Sequence, residues 1–394
     1  MSRRQLFGSL CAMVFLVNLG RVIYAPLLPP LQQAFGVTEA TLGLLTALAW
    51  FGSASPRFLA GYLLTRTSRM VVILGAGVVL TGAALLAAVA PSVEALLVGA
   101  FCMGLASGPY FIAAAPLVSE LFPGNVGRAL GLHGAASQFA AVGAAPLVVA
   151  VLAVGSWRAT FHVIAVATAL VTLALFLVGR RTPLPSVGQA DRDLLGAARA
   201  QWRIIVSGIA LVSLTGFVWN GVFNFYVLYM IQAKGFAEPT ANTMLTVLFA
   251  AGIPAFVVGG DLAERLPTVP FVISISVSFA LGLLALTSVS NLLAVVALTV
   301  VVGFVIHCLF PAVDTYMLAT VPGEHRASTY AVFSGTMMLP QAGGSVAFGV
   351  LRDAGLSWDA IASGAALGLL LVMGALVGLY VDGRLPTTGA AVEQ

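Results

Sequence analysis

Twelve stretches of this chain are each long and apolar enough to cross a hydrocarbon layer, which needs about 20 residues of helix. Broken at proline, glycine and charge clusters, they fall at about 6–31, 40–64, 70–90, 93–119, 126–153, 159–179, 203–232, 240–260, 269–288, 292–319, 327–351 and 358–381. Inside lipid no water is present to satisfy a backbone N–H or C=O, so runs of this length have to be helices. The expected fold class is an all-α membrane protein with twelve transmembrane helices. At 394 residues the length would otherwise suit two or three soluble domains, but 60% hydrophobic and 8% charged residues exclude that reading. Ser2-Arg3-Arg4 before Leu6–Val17 has the look of a signal peptide, yet no small-x-small cleavage site follows, so an uncleaved first span is expected.

The basic residues give the orientation. With the N-terminus inside, the inner segments hold Arg3, Arg4, Arg66, Arg69, Arg128, Arg180, Arg181, Arg192, Arg199, Arg203, Arg265, Arg326 and Arg384, and the outer ones only Arg158, Lys234 and Arg352. An odd number of spans would scramble this bias. Both termini are therefore expected in the cytoplasm, and the net charge of +4 reflects topology, with no nucleic-acid partner implied. The longest break, around 180–202, is rich in Arg, Asp and Pro and reads as a cytoplasmic linker between an N-terminal six-helix bundle (1–179) and a C-terminal one (203–394).

The two halves repeat. At an offset of 199, Gly36, Glu39 and Thr41 meet Gly235, Glu238 and Thr240; Gly61, Leu63 and Arg66 meet Gly260, Leu262 and Arg265; Pro123-Gly124 meets Pro322-Gly323. After one gap Arg128 meets Arg326, and Ser156-Trp157 meets Ser357-Trp358. Parallel repeats of this kind are a transporter architecture, with the solute site near the bilayer midplane at the repeat interface.

The first span carries the most costly residue. Arg21 lies about ten residues from either end, with Asn18 three residues before it and Tyr24 three after, a spacing read as one side of a helix. A guanidinium there costs a few kcal/mol or more unless water, a partner or a ligand receives it. Arg21 either snorkels or pairs with a neighbour, or it borders a water-filled path and attracts an anion; the second is the favoured reading.

Gly61-Tyr62-Leu63-Leu64-Thr65-Arg66-Thr67-Ser68-Arg69 and Gly260-Asp261-Leu262-Ala263-Glu264-Arg265 resemble the loop signature of the major facilitator superfamily, Gly-x-Leu-Ala-Asp-Arg-x-Gly-Arg. Thr65 stands where the signature has an acid, which leaves Glu264 to serve that role in the second copy. Pro123–Arg128 and Ser156–Phe161 look like further family loops. The resemblance implies two pseudo-symmetric six-helix bundles with the first, second, fourth and fifth helix of each around a cavity. It also implies cytoplasmic gates at Gly61, Arg66, Arg69, Arg128, Gly260, Glu264, Arg265 and Arg326. The run from Arg21 to Pro29 and Gly36-Val37-Thr38 is similar, more narrowly, to the organic-anion members, the organophosphate exchangers and anion:cation symporters, whose first-helix arginine binds the anionic group. Asn220, at the equivalent position of the seventh helix, is not basic.

Polar residues collect on the helices the family turns inward. The expected solute contacts are Arg21, Asn18, Tyr24, Trp50, Asn220, Asn224, Tyr330 and Gln341. Asp314, His307 and His133 are candidates for proton coupling, with pairing to an inner-loop arginine as the alternative for Asp314 and interhelical bonding as the plainer role for the histidines. Arg57 either buttresses an inner gate or snorkels. Cys11, Cys102 and Cys308 lie in apolar runs without metal-ligand spacing and read as packing. With no phosphate loop, zinc triad or serine–histidine–aspartate order, neither enzyme activity nor a cofactor or metal is expected.

The expectation is a multi-pass, monomeric secondary transporter of a prokaryotic inner membrane. It would move a small organic anion by alternating access, with or without protons. The alternative is an efflux transporter for hydrophobic or cationic compounds, in which Arg21 is structural.

Overall fold

The computed structural model describes residues 3–64, 66–182, 194–320 and 326–383. Thr65, the stretch 183–193 with Arg192, Pro322-Gly323 and Arg384 lie outside the described residues, as do the side chains of Arg326 and Tyr330. The chain divides into two compact units, Met1–Arg192 and Asp193–Gln394.

In the first unit the helices are α1 (Arg3–Val22), α2 (Tyr24–Phe35), α3 (Glu39–Ala54), α4 (Pro56–Leu63), α5 (Arg69–Ala88), α6 (Val93–Leu121), α7 (Val126–Leu152) and α8 (Trp157–Gly179). In the second they are α9 (Leu194–Ala200), α10 (Trp202–Gln232), α11 (Glu238–Ala250), α12 (Gly252–Arg265), α13 (Thr268–Thr287), α14 (Leu292–His307), α15 (Leu309–Thr320), α16 (Arg326–Asp353) and α17 (Trp358–Val381). Each of the twelve expected spans is helical. Four of them are broken in two, and one short helix, α9, occupies the end of the expected linker. Ten stretches among the described residues are helices long and apolar enough to cross a membrane.

The four breaks have one chemical cause. They fall at Ile23, Ser55, Ala251 and Cys308, and each precedes a proline: Pro26, Pro56, Pro254 and Pro311. A proline has no N–H for the carbonyl four residues back, here Val22, Gly52, Ala250 and His307, and its ring crowds that carbonyl. Pro109, Pro116, Pro146 and Pro340 lie inside unbroken helices, so proline permits a break without imposing one.

Within the first unit α6 packs against α1, α3, α4 and α5, α5 also lies on α8, and α1 lies on α7. In the second, α10 pairs with α16, α11 with α14, α12 with α15 and α13 with α17. The repeat read from the loops extends to the helix crossings. A Cβ on Gly104 of α6 would collide with the Ala49 carbonyl of α3, and one on Gly303 of α14 with the Leu248 carbonyl of α11. Both residues of that crossing recur at the offset of 199. The turn after the first span of each half repeats as well. Gly36 (φ 61) and Gly235 (φ 73) both end a helix in the left-handed region, donating to Gln32 at 2.8 Å and Ile231 at 3.2 Å respectively.

Candidate functional site

Arg21 sits two residues before the break at Ile23, and it is buried, at 6% exposure. Its Nη2 donates to Asn18 Oδ1 at 2.5 Å, one turn back, and its Nη1 reaches Ser53 Oγ at 3.4 Å. The guanidinium carbon lies 4.7 Å from the Trp50 ring centroid and 5.0 Å from that of Phe111. Two rings supply about 0.5–2 kcal/mol each of cation–π attraction. Nε has no hydrogen-bond partner, and no carboxylate pairs with Arg21 among the described residues. Arg21 is thus buried and, among the described residues, without a counter-ion.

The support around it is specific. Asn18 Nδ2 donates to the Ser137 carbonyl of α7 at 2.7 Å, which orients Oδ1 toward Arg21. Ser53 Oγ is 2.8 Å from Ser107 Oγ of α6, a contact allowed by the close crossing at Gly104 and Gly108. Arg57 Nε donates to the Ser53 carbonyl at 3.3 Å, beside the break at Ser55. Ser53 shares a polar helix face with Thr46, Trp50 and Arg57 that the sequence already shows. Ser107 and Phe111 were not anticipated from the sequence, and Phe111 gave no signal.

Tyr24 does not join this group. It lies about 120° around the helix from Asn18 at 100° per residue, and the break at Ile23 intervenes. Its hydroxyl meets Met103 Sδ at 3.2 Å and its ring packs on Phe161. Two aromatic rings, Trp50 and Phe111, occupy the flanks of Arg21.

In the second unit Asn220 stands at the repeat position of Arg21, and both Asn220 and Asn224 are buried. Asn224 Nδ2 donates to the Asn220 carbonyl at 2.8 Å and to its Oδ1 at 3.2 Å. Gln341 lies over Gly216, where a Cβ would strike its side chain. The side chain of Tyr330 is outside the described residues.

The two buried histidines have partners. His133 Nε2 is 2.9 Å from Tyr110 Oη, which also lies 2.7 Å from the Leu10 carbonyl, so α7, α6 and α1 are tied together. A carbonyl only accepts, so the Tyr110 proton goes to Leu10 and His133 Nε2 is the donor to Tyr110. His307 Nδ1 donates to the Gly303 carbonyl at 2.6 Å, and Trp219, Phe249, Phe256 and Phe310 surround its ring. Asp314 is exposed seven residues further on, past the break at Cys308, so it and His307 lie on different helices, α15 and α14.

Of the expected gate residues, Arg69 is ion-paired with Glu120 at the end of α6, an acid not singled out in the sequence. Arg265 pairs with Asp261 at 2.8 Å, one turn back, and Glu264 is exposed. Asp261 and not Glu264 is thus the acid paired with Arg265, because i and i+4 share a helix face and i and i+1 do not. Gly61 and Gly260 are half-buried, and Arg66 and Arg128 are exposed. Just past the end of α10, Lys234, with a side chain only 3% exposed, bonds Asp359 Oδ1 at 3.0 Å and the Thr287 carbonyl at 3.1 Å. Tyr229 Oη donates to the same Asp359 oxygen at 2.7 Å.

Comparison with known proteins agrees with this architecture. The chain is 24% identical over 284 residues to the "Probable sulfoacetate transporter SauU" of Cupriavidus necator, covering 67% of this chain and 66% of that one. It is 27% identical over 365 residues to a "Probable sugar efflux transporter" of Haemophilus influenzae, covering 90% and 89%. The crystal structure of a D-xylose-proton symporter superposes with a TM-score of 0.79 over 98% of both chains at 16% identity, a likeness of fold. The family model of the Major Facilitator Superfamily matches residues 10–345 and, a second time, 209–393. With its apolar helices, internal repeat and family match taken together, the chain belongs to the Major Facilitator Superfamily of multi-pass membrane transporters.

Proposed function

We propose that this transporter carries a small organic anion by alternating access, and that Arg21 takes its acidic group. The observation that supports this most directly is a buried guanidinium with no carboxylate partner and one unused N–H among the described residues. A buried charge without a counter-ion is unfavourable by several kcal/mol, so an anionic visitor gains what the fold has left uncompensated. Asn18 fixes the fork, and Trp50 and Phe111 confine it, so the donors are oriented before the solute arrives. A relative described as a sulfoacetate transporter fits this chemistry.

Asn220, Asn224 and Gln341 are the second unit's solute contacts in this reading. Asp314 is assigned to proton coupling, since it is the carboxylate of span ten and lies outside the ring cluster that encloses His307. His133 and His307 are assigned to holding helices. In this reading the two bundles, 1–179 and 203–394, alternate in access, and the loops bearing Gly61, Arg66, Arg69, Arg128, Gly260, Glu264, Arg265 and Arg326 form the cytoplasmic gates, with Asp261 beside them. The protein is placed in a prokaryotic inner membrane as a monomer with both termini in the cytoplasm.

The test is uptake of carboxylates and sulfonates by protein reconstituted in liposomes. Arg21→Gln should abolish it, and Arg21→Lys should nearly do so, because an ammonium lacks the planar fork. Unchanged uptake in Arg21→Gln would instead favour an exporter of hydrophobic or cationic compounds with a structural Arg21. The bonds of Arg21 to Asn18 and its two flanking rings are compatible with that second reading, as is a relative described as a sugar efflux transporter.

A further inference from the structure

We propose that the start of α10 binds an anionic phospholipid, with Arg199 and Arg203 on its phosphate and Trp202 beside them at headgroup depth. The inference does not depend on which solute is carried. α10 is 31 residues long, Trp202–Gln232, or about 46 Å at 1.5 Å per residue. A hydrocarbon core is about 30 Å thick, so the ends of α10 reach the headgroup layers. Trp202, its first residue, is 56% exposed. An exposed tryptophan suits that layer, because it joins an apolar body to a single N–H.

The charges beside it are held in place. The Arg203 guanidinium carbon lies 5.8 Å from the Trp202 ring centroid. Arg199 is carried by α9, which packs on α16 and on α10. Four residues apart, the two arginines flank the turn at Gln201. Both are exposed, and neither is paired with an acid among the described residues. The planar fork of a guanidinium matches the oxygens of a phosphate.

Further along α10 the same side is apolar. Ile204 and Ile205 are buried, whereas Trp202, Val206 and Ala210 are exposed at i, i+4 and i+8. Charge at headgroup depth followed by an exposed apolar stripe is the outline of a lipid, with its phosphate at one end and its acyl chain along the helix. A soluble anion would have no use for the stripe. The repeat supplies a comparison. At the offset of 199, Arg4 of α1 corresponds to Arg203 and Arg3 to Trp202, so the first unit opens its span with exposed charge and no ring.

The test is thermal unfolding of the full-length protein in detergent, titrated with phosphatidylglycerol, phosphatidylethanolamine or inorganic phosphate. Phosphatidylglycerol should raise Tm to a plateau, and the other two should not. Arg199→Gln and Arg203→Gln should each weaken its apparent affinity by about fivefold, the share of one arginine near an anionic surface. Arg4→Gln should leave that affinity unchanged. The absence of a rise with phosphatidylglycerol, or an equal rise with phosphatidylethanolamine or inorganic phosphate, would overturn the site. So would an unchanged affinity in the two α9–α10 variants, or a loss in Arg4→Gln as large as theirs, which would leave only a general attraction of basic residues to lipid. Should one of the two variants fail to fold, the other decides.

Discussion

The energetic weight of the first unit's site rests on how one guanidinium is held. Asn18 bonds Nη2, and its own amide is anchored on Ser137 of α7. Asn18→Leu removes that anchor while keeping similar volume. It should lower the apparent affinity for the anion with a smaller effect on maximal rate, measured as KM against kcat in liposomes, because Arg21 stays charged but loses its fixed orientation. Asp314→Asn is expected to leave exchange of internal for external solute intact and to abolish uptake driven by an imposed pH gradient. At this scale Arg21 was legible in the sequence, since an arginine in mid-span stands out against lipid. Phe111 was not, because one more aromatic in an apolar run carries no signal. Tyr24 looked like a neighbour of Arg21 until the helix broke between them.

Among the helices, the crossings at Gly104 and Gly303 set how close neighbouring spans come. In each, the facing carbonyl occupies the space a side chain would need. Gly104→Leu and Gly303→Leu should each lower Tm markedly or prevent folding, read by thermal unfolding in detergent. Gly82→Ala, where nothing lies within 4 Å of the added methyl group, should raise stability by about 1 kcal/mol through helix propensity. The tie just past the end of α10 makes a similar prediction. Asp359→Asn removes the charge that holds Lys234 and Tyr229 and should cost about 1–3 kcal/mol of stability, seen as a lower Tm. Proline positions were plain in the sequence. Which prolines interrupt a helix was not, since Pro109 and Pro116 stay within α6 while Pro56 separates α3 from α4.

For the whole molecule the repeat is the organising fact. The offset that aligns loop residues also aligns the glycine turns after the first spans and the two close crossings, as expected if both halves were built on one pattern. The asymmetry lies in chemistry: Arg21 in one half, Asn220 at the same place in the other. Orientation in the membrane is open to a direct measurement on a background lacking Cys11, Cys102 and Cys308. Glu39→Cys should react with an impermeant maleimide on intact cells, and Arg181→Cys only after the membrane is opened.

The sequence by itself determined the number of apolar spans, the doubling of the chain and the family. Each depends on patterns repeated over many residues, and lipid tolerates few departures from them. Tertiary structure decided what each polar side chain meets. It turned Tyr24 to Met103, gave Arg265 to Asp261, enclosed His307 in rings and left an acceptor on Asn224 without a donor among the described residues. Those outcomes depend on which helix lies alongside and how far a break rotates the chain, and neither is set by spacing along one helix.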